Sequence, residues 1–171
     1  MKNFYAMALL SMLITTMGCS AQSTINHTTV PTLDLERYMG RWYELARYDH
    51  RFERNLTECE AFYTLLPDGH VSVKNTGINT RNDKLKVSYG KAKRGREPGQ
   101  LRVSFFLWFY SDYNILALGE EYDWALVGSK SPNYLWILSR TPTLPTATMH
   151  HILNTATKMG YDTSKLIFVG R

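Results

Sequence analysis

The sequence lacks three features that would point to other classes of protein: a long hydrophobic run, a set of cysteines and a strong excess of one charge. Only two of its 171 residues are cysteine, too few for a disulfide framework or a four-thiolate zinc site. Beyond the N-terminus no run of about 20 apolar residues occurs, so no interior membrane-spanning helix is expected. The net charge of +5 is modest and scattered, so we predict no nucleic-acid partner, although contact with anionic lipid is permitted.

The first eighteen residues have the pattern of an export signal. Lys2 supplies a positive charge, residues 4–17 form an uncharged apolar stretch, and Gly18 and Cys19 precede a polar run. The Gly-Cys junction resembles the lipobox of bacterial lipoproteins, which implies that cleavage precedes Cys19 and that Cys19 becomes an acylated N-terminus. Two alternatives stay open: cleavage after Ala21, which would release a soluble protein, and an ordinary thiol at Cys19.

These features divide the chain into a signal peptide over residues 1–18, a lipidated N-terminus with a flexible tether over residues 19–33, and one domain over residues 34–171. The tether is predicted from its content of Ser, Thr, Asn and Ala. Several acyl chains on one residue would hold the protein to a membrane, because a single chain binds only marginally. Since Ser20 and not Asp follows the cysteine, we predict lipid anchoring in the outer membrane of the cell envelope, with a soluble periplasmic protein as the alternative.

After the tether, short segments of alternating polarity separated by turn signals indicate an all-β body. Turns are marked by Pro67, Asp68 and Gly69 and by the Gly- and Pro-containing residues 95–99. Closing eight antiparallel strands removes both exposed sheet edges, so we expect an up-and-down barrel. The eight strand candidates are residues 42–47, 59–65, 70–75, 85–92, 101–106, 113–118, 122–128 and 134–139.

One segment near the C-terminus has helical instead of strand periodicity. Met149, Ile152, Leu153 and Ala156 recur at helical spacing within residues 145–159, and Gly160 follows as a stop signal. Because the apolar stripe covers one side only, we expect this helix to pack against the outside of the barrel. A helix lying on a membrane surface is the alternative, but its polar face carries little charge. Residues 166–169 form a last short strand.

Four segments carry a family resemblance: residues 40–47, 49–54, 103–106 and 134–142. From about Tyr38 to the C-terminus the sequence resembles the lipocalins, most closely the bacterial branch related to apolipoprotein D. The resemblance implies an eight-stranded antiparallel lipocalin barrel with one C-terminal α-helix packed outside. It also implies that Gly40 and Trp42 belong to the closed end, with the Arg140 guanidinium over the Trp42 ring. A desolvated cation on an indole face contributes about 2 kcal/mol, so these residues are predicted to be structural.

Strand alternation, with the phase that the lipocalin register supplies, assigns a set of residues to the barrel interior. Small members of the set face aromatic ones, which predicts an open slot suited to an acyl chain; a solid interior is the alternative. We therefore predict a fatty acid or a lysophospholipid as ligand, with no cofactor and no metal. The predicted ligand-binding residues are Glu44, Ala46, Ala61, Tyr63, Val73, Asn75, Gly90, Val103, Phe105, Tyr113, Ile115, Val127, Tyr134 and Trp136.

Two of these residues, Glu44 and Asn75, are polar. A polar group inside the barrel needs a partner or water, so each either orients a ligand head group or joins an internal water network. The sequence leaves that choice open.

The loops expected at the open end of the barrel suggest how a ligand or partner is met. His50, Arg51 and Arg54 would form a cationic rim that can pair with a carboxylate or phosphate. Residues 108–110 form an aromatic cluster that suits either a membrane interface or a contact in a homodimer. The function predicted first is a membrane-anchored carrier or store for hydrophobic ligands, for which the resemblance to bacterial lipocalins implies a role in membrane maintenance. The alternative is a protein-interaction module that uses the aromatic loop and has no lipid cargo.

Enzymatic activity is not predicted. Glu120 and Glu121 are adjacent, and we expect them to lie in a solvated turn. We expect His150 and His151 to lie on the exposed side of a helix. Cys59 reads as a buried, inert thiol, since no neighbouring base is apparent.

Overall fold

The computed structural model describes residues 24–169. The antiparallel strands β2 to β8 are sequential neighbours, and β1 pairs with both β8 and β2, which closes an eight-stranded barrel. The predicted all-β barrel with one external C-terminal helix is thereby confirmed. The elements are α1 (Leu35–Tyr38), β1 (Gly40–Tyr48), β2 (Leu56–Leu65), β3 (Val71–Asn79), β4 (Lys84–Arg94), β5 (Gln100–Ser104), β6 (Ser111–Leu118), β7 (Trp124–Gly128), β8 (Leu135–Ser139), α2 (Thr146–Lys158) and β9 (Leu166–Phe168).

The short strand β9 completes the wall where β1 and β2 separate. β1 pairs with β2 only as far as Tyr43, and from Ala46 to Tyr48 it pairs with β9 instead. The carbonyl of Val169 then accepts a hydrogen bond from the backbone N–H of Glu58 at 3.1 Å, which links β9 to β2. Backbone groups that the divergence of the two strands would leave unpaired are therefore bonded.

A β-bulge in β1 changes which residues face the interior. Glu44 pairs with Leu138 and Ala46 with Ile137, so Leu45 is an extra residue opposite one position of β8. The bulge turns Ala46 to the outer side, where it is fully buried in the cluster beneath α2. The predicted inward orientation of Ala46 is therefore wrong, because simple alternation does not count the extra residue.

The core has two parts separated by the barrel wall. The inner cluster contains Trp42, Ile115, Val127 and Leu138 among others and fills the closed half of the barrel. The outer cluster lies between the wall and α2, and Ile152 and Ala156 are its fully buried helical members. As predicted, α2 buries its apolar stripe against the outside of the barrel. No helix within residues 24–169 is both long and apolar enough to cross a membrane.

The described part of the predicted tether packs on the barrel. Val30 donates a backbone hydrogen bond to the carbonyl of Ile115 at 2.9 Å, and Leu33 packs against the inner cluster. Ile25 contacts the outer cluster. The expectation of a flexible tether is therefore wrong for residues 25–33, because these three apolar side chains bury surface that a composition count of the polar residues overlooks. Residues 19–23, including Cys19, lie outside the described part of the chain.

Candidate functional site

The closed end of the barrel is sealed by Trp42 and Arg140. The guanidinium carbon of Arg140 lies 3.8 Å from the Trp42 ring centroid. Arg140 also donates hydrogen bonds to the carbonyls of Arg37 and Arg41 at 2.7 and 2.6 Å, and Trp42 Nε1 donates to the carbonyl of Tyr38 at 2.8 Å. These contacts satisfy the buried donors at this end, as the structural role predicted for the pair requires.

Three tyrosines form a floor above this seal. The hydroxyl of Tyr113 lies 2.7 Å from that of Tyr38 and 3.2 Å from that of Tyr63. Burial raises the pKa of Tyr63 to about 12, and it also raises the pKa values of Tyr38 and Tyr113 well above their ordinary range. All three hydroxyls are therefore protonated at neutral pH. The three hydroxyl groups carry three protons but make only two hydrogen bonds with one another. One O–H group is therefore left to donate to another group.

A cavity of about 430 Å³ occupies the open half of the barrel above this floor. This volume falls within the range of about 300–1,000 Å³ that is usual for small-molecule sites. Its wall is mainly apolar and aromatic, with a few polar groups. The lining residues are Phe52, Glu53, Leu56, Tyr63, Val73, Asn75, Thr76, Lys86, Ser88, Val103, Phe105, Phe106, Phe109, Ser111, Asp112, Tyr113 and Trp136.

Asn75 is a polar residue of the wall with an unused hydrogen-bond acceptor. Its Oδ1 atom is buried and has no hydrogen-bond partner among the described residues. The side chain faces the cavity from β3, opposite Ser88 of β4. A buried acceptor without a partner costs free energy, so Asn75 is available to a donor on a ligand or to water.

A buried arginine–glutamate contact lies inside the barrel, beside the cavity. Arg47, only 1% exposed, contacts Glu44 through Nη1 and Oε1 at 2.5 Å. Its Nη2 atom donates to the carbonyls of Glu53 and Leu56 at 2.8 and 3.0 Å. Burial raises the pKa of Glu44 to about 8 and the nearby Glu53 adds to the rise, although Arg47 opposes it. Glu44 therefore points inward as predicted, but it is bound to Arg47 and does not line the cavity.

The loop between β1 and β2, residues 49–55, is fastened to the barrel through Glu53. Glu53 Oε2 accepts a hydrogen bond from Trp136 Nε1 at 3.1 Å and lies 2.9 Å from His50 Nε2. Burial would raise the pKa of Glu53, but His50, Trp136 and Arg47 together lower it. An ionised Glu53 thus holds the loop over one side of the cavity mouth. Within residues 24–169, no three His, Cys, Asp or Glu side chains are grouped as metal ligands.

A second, wider depression of about 830 Å³ lies on the outer surface of the barrel. Residues 26–31 form one side of it and α2 the other, with Leu118 and Trp124 at its base. It is open to solvent, so a bound molecule would leave much of its surface in water. The interior cavity is therefore the better candidate for an apolar ligand.

The comparisons with known proteins agree with this geometry. A family model described as a lipocalin-like domain matches residues 33–171. The chain belongs to the lipocalin family. The outer membrane lipoprotein Blc of Escherichia coli K12 is 46% identical over 144 residues, which cover 83% of this chain and 81% of Blc. Temperature-induced lipocalin-1 of Arabidopsis thaliana is 38% identical over 146 residues, covering 80% of this chain and 78% of the plant protein.

Other lipocalins extend the comparison. Mouse apolipoprotein D is 33% identical over 144 residues, covering 78% of this chain and 74% of the mouse protein. Insecticyanin from the tobacco hornworm Manduca sexta superposes with a TM-score of 0.70 at 20% identity, covering 84% of this chain and 85% of that one. The predicted kinship with bacterial lipocalins and apolipoprotein D is confirmed, and the insect structure supports the fold. The predicted outer-membrane, lipid-anchored location agrees with the name of the bacterial relatives.

Half of the predicted interior set of this lipocalin lines the cavity: Tyr63, Val73, Asn75, Val103, Phe105, Tyr113 and Trp136. Ala61, Ile115 and Val127 point inward but belong to the packed inner cluster. Gly90 lies beneath the Phe105 ring, which leaves no space for a Cβ atom. Tyr134 precedes β8 and stacks on Trp136 at the mouth, with ring centroids 5.7 Å apart.

The predicted cationic rim is arranged differently from the expectation. His50 is buried and stacks on Phe52 with a centroid separation of 4.0 Å, and Arg54 pairs with Asp49 at 2.7 Å. Of the three predicted rim residues, Arg51 is the exposed one that makes neither a ring-stacking contact nor an ion pair with the described residues.

Two residues that sequence reasoning missed are Lys86 and Arg47. Lys86 lines the mouth and donates to the carbonyl of Phe52 at 3.3 Å. Alternation from Gly90 through Ser88 would have identified it, because these residues share one face of β4. Arg47 faces inward only because of the bulge at Leu45, and no signal in the sequence indicates that bulge.

Proposed function

We propose that this lipocalin reversibly binds a single-chain lipid, a fatty acid or a lysophospholipid, in the barrel cavity. In this proposal the protein carries or stores the lipid for maintenance of the membrane and performs no chemistry on it. It is held at the outer membrane through acylated Cys19. The cavity of about 430 Å³, open at one end and floored at the other, is the observation that carries the proposal.

The wall of the cavity suits an acyl chain. Val73 and Val103 supply apolar surface, and Phe105 and Trp136 supply aromatic surface. Each buried methylene contributes about 0.8 kcal/mol, so about fourteen of them contribute roughly 11 kcal/mol. Association and chain ordering oppose this by about 4–15 kcal/mol. When the opposing cost is about 4 kcal/mol, the balance of about 7 kcal/mol corresponds to a Kd of roughly 10 μM.

The mouth suits an anionic or zwitterionic head group. Lys86 reaches the cavity from β4 and Arg51 lies exposed in the adjacent loop. An ammonium or guanidinium group can pair with a carboxylate or phosphate at this position. The acyl chain would then extend from Lys86 at the mouth toward the Tyr63 and Tyr113 hydroxyls at the floor.

A pair of neighbouring substitutions on β3 tests the proposal. Asn75 lines the cavity, whereas Lys74 is exposed on the other face of the strand. Asn75→Trp fills the cavity with an indole, so we expect it to lose binding of palmitate and of palmitoyl lysophosphatidylethanolamine. Lys74→Trp should bind both lipids with one-to-one stoichiometry in native mass spectrometry, as the unmodified protein does. If the unmodified protein, freed of bound lipid and then exposed to either probe, retains no acyl ligand, the proposal fails.

A further inference from the structure

The N-terminal segment of the described chain begins beside the open end of the barrel. The backbone N–H of Asn26 donates to the carbonyl of Met159 at 2.8 Å, and His27 Nδ1 lies 3.3 Å from the hydroxyl of Tyr161. Tyr161 packs directly over Gly128, where a Cβ atom would meet its hydroxyl. Gly128 is the last residue of β7, from which the open-end loop of residues 129–134 departs.

From this position the segment descends along the outside of the barrel. Val30 bonds to Ile115 halfway along β6, and the backbone N–H of Asp34 donates to the Tyr122 hydroxyl at 2.8 Å in a closed-end turn. The N-terminal side of the segment therefore points toward the open end. Four residues lie between Cys19 and Thr24, and the five Cα–Cα steps that join the two span at most about 17 Å. An anchor at Cys19 reaches a bilayer at the open end directly, whereas a bilayer at the closed end would require the chain to double back along the barrel.

The same end of the barrel carries an exposed apolar loop. The aromatic loop, residues 105–110, joins β5 to β6 and displays Phe106, Trp108 and Phe109 at 67%, 79% and 72% exposure. The rings of Phe106 and Phe109 stack with centroids 6.3 Å apart. Phe52 of the neighbouring loop is 55% exposed. Contiguous apolar surface of this kind marks an interaction site, and aromatic rings suit the boundary between water and acyl chains.

Charge distinguishes the two ends of the molecule. Arg51, Arg81, Lys84 and Lys86 lie exposed on the open-end loops and adjoining strand, with Asp83 among them. The closed-end turn between β6 and β7 carries instead Glu120, Glu121 and Asp123. Basic residues near an anionic lipid surface are attracted to it and acidic ones are repelled. Another closed-end loop, between β4 and β5, exposes Arg96 and Glu97. The open end is therefore complementary to an anionic bilayer, whereas the closed end carries both signs of charge.

We propose that the open end of the barrel docks on the bilayer that holds the Cys19 anchor, with the aromatic loop inserted among the lipid head groups. The orientation rests on the anchor included in the proposed function. Phe105, Phe106 and Phe109 also line the cavity, so the surface that meets the bilayer continues into the binding site. A lipid can then pass between the bilayer and the cavity without crossing open water.

Tryptophan quenching in vesicles tests this orientation on the full, lipidated chain. The protein has four tryptophans, of which Trp108 is the most exposed. In vesicles of phosphatidylethanolamine and phosphatidylglycerol with brominated acyl chains, we expect part of the tryptophan fluorescence to be quenched. Trp108→Phe should remove that quenched part. Trp124→Phe, which alters a buried indole on the outer wall far from the mouth, should retain it.

A second variant tests whether the aromatic loop contacts the bilayer or a second copy of the chain. Trp108→Asp should leave the chain attached through Cys19 while abolishing the contact with brominated lipid and slowing transfer of palmitate from vesicles. Unchanged quenching in Trp108→Phe would overturn the proposal. Loss of self-association in Trp108→Asp during sedimentation, with no quenching in the parent, would assign the loop to a second copy of the chain.

Acylation and cargo binding are measured on the same samples, by the mass of the N-terminal peptide and by native mass spectrometry. A protein that is acylated and holds its lipid, yet shows no quenching of Trp108, refutes the orientation alone. A protein that lacks the acyl groups or the lipid refutes the proposed function.

Discussion

At the scale of single residues, the barrel contains two guanidinium groups that are stabilised in different ways. Arg140 rests on the Trp42 ring and donates to carbonyl oxygens, so its charge is met by dipoles and by a ring face. Arg47 is almost fully buried and is met by the carboxylates of Glu44 and Glu53. Because two acids share one cation, the protonation of this group of residues depends on pH, whereas that of the Arg140 site does not.

The protonation of Glu44 makes the free energy of unfolding depend on pH, and this dependence can be measured. Its folded pKa of about 8 lies above the ordinary value of 4.5, so the folded protein retains a proton that the unfolded chain has released. This contribution to stability is complete below about pH 4.5 and is lost as the pH rises through about 8, with a slope of at most about 1.4 kcal/mol per pH unit. Glu53 has the opposite shift, so its contribution is lost only in the acid range.

We therefore expect the free energy of unfolding to fall between about pH 5 and pH 8 in the unmodified protein, and Glu44→Gln to remove most of that fall. Urea titrations across this range measure it. Glu97→Gln, a change of an exposed carboxylate at the closed end, is the control and should retain the slope. A slope that is the same in all three proteins would mean that Arg47 keeps Glu44 ionised throughout.

At the scale of secondary-structure elements, the bulge in β1 determines whether each residue that follows it faces the barrel interior or the outer cluster. It places Leu45 and Ala46 together against the outer cluster and turns Arg47 into the barrel. The other interior residues of the β1 wall are unaffected, since Trp42 and Glu44 precede the bulge. One extra residue thus determines both the surface on which α2 packs and the position of the buried Arg47 and Glu44 side chains.

Ala46→Leu tests this assignment. Ala46 is fully buried beside β8, β9 and the α2 cluster, so extra methylenes there should cost about 1–3 kcal/mol through overpacking. Binding of palmitate should be unchanged, because the substitution adds nothing to the cavity. Urea unfolding and native mass spectrometry provide the two measurements, with Ala147→Leu on the exposed side of α2 as a neutral control. A stable variant that no longer binds lipid would place residue 46 inside the barrel.

The elements also show why sequence patterns predicted this fold better than its site. Period-two alternation, with the phase that the lipocalin resemblance supplied, located the inward faces of β2, β3, β5 and β8, because those faces keep their phase through Tyr63, Val73, Val103 and Trp136. It failed at β1, where backbone geometry and not side-chain polarity inserts a residue. It also could not separate inward residues that line space from those that fill it, such as Ile115 and Val127, since packing depends on the neighbours brought together by closure of the barrel.

At the scale of the whole molecule, the barrel is solid at one end and hollow at the other. The Trp42 and Arg140 seal, the inner cluster and the tyrosine floor fill the closed half, while the open half holds the cavity. The closed half can therefore maintain the fold without a ligand, and the open half can exchange its contents. The closed end of the barrel therefore provides most of the stability, and the open end provides the binding site.

This division predicts how a ligand changes the stability of the folded chain. A ligand that binds only the folded state at a concentration a hundredfold above its Kd adds about 2.7 kcal/mol to the free energy of unfolding. We expect this gain with palmitate in the unmodified protein and in Lys74→Trp, and no gain in Asn75→Trp, measured by urea titration with and without the lipid. An equal gain in Asn75→Trp would show that palmitate binds elsewhere, and the depression between residues 26–31 and α2 is then the first site to test, because it is a wide concavity of about 830 Å³ with apolar side chains such as Leu118 and Trp124 at its base.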